Sequence, residues 1–247
     1  MLKVLKYLKK SWVSVVAIIL LLCLQAYTDL ALPDYTSKIV NVGIQQGGIE
    51  DAVPEAIRSS RMENLLVFTN EDGQILNYYT LLERGSMDEK EYEEQVEEYP
   101  VLENEAIYVL KEDISEEERN TLSEQMAKPL MMLASLENEE TQEQLKEQML
   151  SQMENVPQEQ KMLIEQMSLM DILKTMPESQ LEQILSKVEE QLNGMSGSIL
   201  EQAAITEIKA EYQAMGRDTD KIQNDYIFIT GLQMLGIALI SMTAAVS

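Results

Sequence analysis

Residues 11–31 (SWVSVVAIILLLCLQAYTDLA) contain a single charge, Asp29, and residues 226–247 (YIFITGLQMLGIALISMTAAVS) contain none. A helix of about 20 residues reaches roughly 30 Å, the hydrocarbon thickness of a bilayer. Two such segments, one at each end, constrain this chain more than any other feature. Lys3, Lys6, Lys9 and Lys10 precede the first, and Trp12 stands at its start. Basic residues mark the cytoplasmic side and aromatic rings the interface, so the N-terminus is expected inside and the polar middle outside. A cleaved signal peptide is the competing reading, but Leu22-Cys23 lacks the small residue that lipoprotein cleavage needs, and Gln25-Ala26-Tyr27 is half of an A-x-A pattern. Cys23 is then an apolar residue facing lipid or another helix.

The charge is segregated accordingly. Of 43 acids and 19 bases in 247 residues, 42 acids and 15 bases fall between residues 33 and 226. The expected layout is a cytoplasmic N-terminus over 1–10, a first transmembrane helix over 11–32, an acidic helical extracytoplasmic domain over 33–225, and a second transmembrane helix over 226–247. The fold class is an all-α membrane protein, with at most a small β element outside. The second apolar segment ends with the chain and has no basic flank, so the chain reads as an N-terminal fragment.

Several chemistries are excluded. There is no His and one Cys, which leaves no His/Cys zinc site, no internal disulfide and no Ser-His-Asp relay. The negative charge opposes nucleic acid as a partner. No G-x-x-x-x-G-K-[ST] loop is present to cradle a nucleotide phosphate. Asp218, Asp220 and Asp225 suggest a calcium loop, but Ile222 and Gln223 stand where an EF-hand has Asp/Asn and Gly. Asp218 or Thr219 is better read as an N-cap. No pair among the many carboxylates stands out as an acid/base couple, so no catalytic, cofactor or metal residue is assigned.

The middle is helical in pattern. Capping signatures occur at Ser86…Glu89, Ser115…Glu118, Thr141…Gln144, Thr175…Glu178 and Ser198…Glu201. Leu181, Ile184, Leu185, Val188 and Leu192 share one helical face before Asn193-Gly194; Ile205, Ile208, Tyr212 and Met215 do so before Gly216. Pro100, Pro157 and Pro177 punctuate helix starts or breaks. Three to five amphipathic helices are expected over 115–215, with residues 106–110 (AIYVL) and 65–68 (LLVF) as short strands. Met131, Met132, Met162, Met167 and Met170 read as core, or as an adaptable apolar surface. The acidic runs at 89–94, 116–118 and 137–140 read as solvated faces.

Near the membrane, Pro33 either kinks a continuing helix or starts a new one, and Gln45-Gln46-Gly47-Gly48 reads as a flexible exit. Residues 29–49 (DLALPDYTSKIVNVGIQQGGI) resemble the end of the first transmembrane helix of type IV ABC exporters, and residues 214–235 (AMGRDTDKIQNDYIFITGLQML) the approach to their second. The resemblance is greatest to Firmicutes-type multidrug ATP-binding/permease proteins with a large extracellular insert between those helices. Asn41 replaces an acid common in that family, so no role of that acid is carried over. The resemblance implies ATP-driven export of hydrophobic, drug-like or lipid-like substrates by alternating access, across a bacterial cytoplasmic membrane. Its implied partners are the bilayer, the remaining transmembrane helices and nucleotide-binding domain, and a second half-transporter, identical or different. ATP and Mg are expected only in that missing domain.

On this reading Gln25, Tyr27 and Asp29 are the polar residues expected to face a substrate cavity, and Pro33, Gly231 and Gly236 the expected hinges. The outer domain then caps or limits the exit path. The alternative from another class is a two-span chemoreceptor or sensor kinase with an outer helical ligand-binding domain. Pro33 and the Gly-Gly loop speak against it, since a sensor helix runs unbroken from the membrane. A membrane-tethered scaffold is a third possibility.

Overall fold

The structure, a computed structural model, describes residues 12–69, 72–152, 167–192 and 194–246. It divides into two compact units, residues 1–50 with 219–247, and residues 51–218. It is mostly helical, with two helices long and apolar enough to cross a membrane and one small sheet.

In the first unit, α1 (Trp12–Lys38) runs through Pro33 and continues as a π-helical segment, Ile39–Gln45. The helical path therefore passes the end expected at residue 32. Its 34 residues span about 51 Å, well beyond a bilayer's hydrocarbon layer. The second long helix of this unit, Thr219–Val246, lies antiparallel to α1. Ser241 donates to the Asp29 carboxylate at 2.8 Å, Thr36 Oγ1 stands 4.0 Å from Met234 Sδ, and Gly43 packs on Ile227. Positions seven apart on one helix thus meet positions seven apart on the other. The less exposed residues follow the same rule: Gln25, Thr28, Leu32, Tyr35 and Ile39 on α1; Gln223, Ile227, Thr230, Met234, Ile237, Ser241 and Ala244 on its partner. Steps of three and four in alternation are the 3.5-residue repeat of a left-handed helix pair.

This register sets residue 226 level with 44 and residue 246 with 24. The two stretches expected as spans therefore face each other over only part of their length. Asp29, Asp34 and Lys38 of α1 stand level with the uncharged stretch of the second helix. Beyond the seam the pair is apolar outward: Leu20, Leu22, Leu30, Phe228, Ile229 and Leu232 are all exposed.

The second unit holds a three-stranded antiparallel sheet in the order β1 (Ala56–Arg58), β3 (Ile107–Leu110), β2 (Tyr79–Leu82). Tyr108 pairs with Ile57 on one side and with Leu81 on the other. The strand expected at 106–110 is thus the central one. The strand expected at 65–68 is absent, because Leu65 and Leu66 end α2 (Ser59–Leu66). Phe68 N–H then donates to the Leu65 carbonyl at 3.0 Å, closing a turn. Met62 and Leu65, three apart, are both fully buried, which is a helical face and not an alternating one. The short α3 (Asp72–Leu76) and α4 (Glu89–Glu98) flank β2.

Among the described residues five helices follow within 115–215: α5 (Glu116–Glu137), α6 (Glu139–Gln152), α7 (Leu169–Thr175), α8 (Glu178–Leu192) and α9 (Gly197–Ala214). The last long helix, Thr219–Val246, is then α10. Of the expected capping signatures only Ser115…Glu118 is a true capping box: Glu118 N–H donates to Ser115 Oγ, and Ser115 N–H to Glu118 Oε2 at 2.9 Å. Elsewhere a neighbour takes the role. Asp88 caps α4, Asn138 accepts from Thr141 N–H, and Ser196, not Ser198, precedes α9. Thr175 bonds back to the Asp171 carbonyl. Pro157, Met162 and Asn193 lie outside the described residues. Ile205, Ile208, Tyr212 and Met215 are all buried, and so are Met126, Met132 and Met170, so these methionines are core. The exposed members of the acidic runs are solvated, as at Glu93, Glu94 and Glu116–Glu118.

A charged network crosses this core. Glu211 of α9, only 2% exposed, accepts from Arg58 Nη2 at 2.8 Å, Nε at 2.9 Å and backbone N–H at 3.0 Å. The hydrogen bond to Glu211 raises the Arg58 pKa further and keeps it charged. Arg61 lies 3.6 Å from Glu211, too long for a hydrogen bond, and reaches Glu137 at 3.1 Å and Glu207 at 3.3 Å. Removing one partner of a buried pair leaves an uncompensated charge, which costs about 3–5 kcal/mol, whereas an exposed pair contributes about 0–1 kcal/mol. Glu211→Ala is therefore expected to destabilise the protein by about 3 kcal/mol or more. Glu207→Ala leaves Arg61 paired with Glu137 and is expected to cost less than Glu211→Ala, both read by denaturant titration with circular dichroism.

Two carboxylates give opposite pH dependence. Burial disfavours the Glu105 carboxylate, but hydrogen bonds from Ser60 and Ser59 and the Arg58 charge outweigh it, so its pKa lies below the ordinary 4.5. Burial raises the Glu137 pKa above that value despite Arg61. A lowered pKa stabilises above 4.5, and that contribution is lost as pH falls through the folded-state value. A raised one stabilises below 4.5 and loses that contribution as pH rises. Glu105→Gln is thus expected to flatten the fall in melting temperature on acidification below pH 4.5. Glu137→Gln is expected to remove a gain in melting temperature that the wild-type protein makes as pH falls toward 4.5 from above.

Candidate functional site

Two places have the features of a site, one in each unit. The first is the polar part of the α1/α10 seam. Helix geometry separates the three residues expected in one cavity. Gln25 and Asp29, one turn apart, lie on the side of α10; Tyr27, half a turn round, points outward and is 71% exposed. Asp29 is held by Ser241 across the pair. Pro33 has no N–H, so the Asp29 carbonyl lacks its usual helical donor. Carboxylate and freed carbonyl therefore belong to the same residue of an otherwise apolar helix, flanked by Thr28, which is buried and bonded to the Gln25 carbonyl at 2.9 Å. A charge in such a segment is costly unless paired, and Ser241 supplies the pairing.

The expected hinge glycines are not packing positions. A side-chain carbon added at Gly231 or Gly236 meets nothing within 4 Å, and α10 runs through both. The glycines that matter are two the sequence did not single out as hinges. At Gly43 an added carbon would sit 2.7 Å from Ile227 Cγ1. Gly48 has φ +86°, and a side-chain carbon added there would lie 2.9 Å from the Ile222 carbonyl oxygen, so a residue with a side chain does not fit this turn. Gln223 Nε2 then donates to the Gly43 carbonyl at 2.9 Å, and Tyr226 to Glu50 at 3.1 Å. Thr230, Ser241 and Ala244 were equally missed, although their alternating three- and four-residue spacing is readable in the sequence.

The second place is a cleft of about 460 Å³ in the second unit, between α5, α8 and the residues that follow α2. Its floor is apolar: Phe68, Ile75, Pro129, Met132 and Leu185. Its rim carries Glu124, Glu182 and Glu189 against one cation, Lys128, which pairs with Glu189. Among the described residues no group of three or more Asp, Glu or Cys side chains is placed to hold a metal.

Comparison of the chain with protein-family profiles, characterised proteins and solved structures finds no match. The reading of both places rests on their own geometry. For the seam, the register is directly measurable. With Cys23 replaced by Ser, Thr36→Cys/Met234→Cys is expected to crosslink on mild oxidation in membranes. Adding Gly43→Val is expected to cut the yield several-fold, because a branched side chain cannot fit against Ile227.

Proposed function

We propose that this chain is the first membrane hairpin of an exporter permease of the ABC kind its ends resemble, with residues 51–218 as an extracytoplasmic insert. The observation that carries the reading is the helix pair itself. Its seam carries Thr28, Gly43, Thr230, Ser241 and Ala244 among larger apolar residues, while outward leucines, isoleucines and Phe228 are exposed along both helices. In lipid, helices associate through close packing of small residues and hydrogen bonds, and leave their bulky apolar side chains for lipid or further helices. A pair with this pattern suits a membrane, with room for more helices around it. The basic N-terminal flank supports a cytoplasmic N-terminus and an extracytoplasmic middle.

The break after Gln45 favours a permease over a sensor. Pro33 does not interrupt α1, but the turn at Gly47-Gly48, with both φ angles positive, does end the helix. A sensor that transmits a shift along one rigid helix has no use for such a turn. In the permease reading, Asp29 and Ser241 form a polar link between two helices that change their mutual position during alternating access. Gln25, one turn away, extends the polar stripe. ATP and Mg enter only through a nucleotide-binding domain outside these 247 residues.

The test uses the full gene product reconstituted in vesicles. Asp29→Leu with Gln25→Leu is expected to lower ATP-dependent substrate movement at least about tenfold while leaving protein abundance unchanged. Asp29→Asn, which can still accept from Ser241, is expected to retain most of it. Unchanged transport in the Leu variant overturns the reading.

A further inference from the structure

We infer that the cleft between α5 and α8 binds a compact aromatic monocation, with Glu124 and Glu182 as its counter-charges. The inference stands on the second unit alone and does not depend on the exporter reading. The volume of about 460 Å³ falls in the range of sites that enclose small organic molecules. Its floor is built from residues that suit an aromatic guest. Phe68 offers a ring face or edge, and Met132 a polarisable sulfur. The guest's charge is set by the rim. Lys128 is occupied by Glu189, and no cation lies within ion-pair distance of Glu124 or Glu182 among the described residues.

The wall contributes a further acceptor. Pro129 sits within α5 and has no N–H, so the carbonyl of Gln125, one turn earlier, loses its helical donor on the side of the cleft. The freed Gln125 carbonyl and the Glu124 and Glu182 carboxylates thus line the cleft together, beside the neutral Gln125 amide. An anionic guest meets two free carboxylates, and a neutral apolar one gains nothing from them. A small, strongly hydrated cation such as an alkali ion loses its water shell against an apolar floor. An aromatic cation with delocalised or shielded charge suffers neither penalty. The acidity of the whole middle segment, 42 acids against 15 bases, raises the local concentration of any such cation.

Tetraphenylphosphonium and tetraphenylborate provide the test, because they share one shape and carry opposite charges. The full chain is placed in zwitterionic nanodiscs, and binding is measured by equilibrium dialysis with empty discs subtracted. Tetraphenylphosphonium is expected to saturate one site per chain, with weaker binding at high salt. Glu124→Gln/Glu182→Gln alters two exposed side chains and is expected to weaken binding about tenfold without shifting the melting temperature. Leu185→Trp fills the cleft and is expected to abolish saturable binding. Should that variant not fold, the glutamine pair still decides. Three results each overturn the inference: no saturable tetraphenylphosphonium binding, equal affinity in the glutamine pair, or comparable saturable binding of tetraphenylborate.

Discussion

A chain that leaves a helix pair near residue 48 and rejoins it near residue 222 can do so only where those two points lie together. The approach of Gly48 to the Ile222 carbonyl is the contact that brings them there. It needs a residue without a side chain, at a positive φ, immediately after a helix that has run 34 residues. The second unit brings its own two ends together with different chemistry. Arg217, close to its C-terminal end, bonds Glu55 at 2.8 Å and Glu98 at 2.9 Å, and its guanidinium lies 4.9 Å from the Tyr212 ring and 5.2 Å from that of Tyr99. Asp51, at the other end, pairs with Arg119 of α5. A unit whose two ends are tied into one neighbourhood is what an insertion between two helices demands.

The two units solve cohesion in opposite ways. The helix pair buries few large side chains; among the described residues Thr28, Gly43, Thr219, Thr230 and Ala244 are its buried positions. That pattern is poor in water, where apolar burial drives association, and sensible in lipid, where the outer leucines and isoleucines already have an apolar neighbour. The second unit instead buries Met62, Leu65, Ile107, Leu130, Leu133 and Tyr212 completely, and threads a Glu–Arg network through that core. Burial drives the Tyr212 phenol well above its ordinary pKa, so it stays neutral while it accepts the Glu55 N–H at 2.7 Å.

Where the sequence misled, the cause is local competition. Five Ser/Thr-x-x-Glu/Gln patterns look alike on paper, but a cap forms only where the backbone before it is extended and no better acceptor lies one or two residues away. Asp88 wins that competition over Ser86 by accepting the Glu91 N–H, whereas α9 starts after Ser196 without a side-chain cap bond. The run at 65–68 is β-prone by composition, yet the helical spacing of Met62 and Leu65 against the core overrides it. Gln25, Tyr27 and Asp29 look equivalent as polar residues in an apolar stretch, and only the helical rotation between them separates Tyr27 from the other two.

Composition and order alone determined that there are two apolar ends, an acidic helical middle, and no His-based or disulfide chemistry. These follow from local transfer energies and from residue types that are either present or not. The helix faces of α8 and α9 were legible for the same reason, since a 3.6-residue period is a property of neighbouring positions. Tertiary structure decided what depends on distant residues meeting. That includes the register that sets Asp29 against Ser241, the need for glycine at 43 and 48, the pairing of two short strands with β3, and the cleft between α5 and α8. Each of these is a contact between segments far apart in sequence, and no local pattern carries its energy.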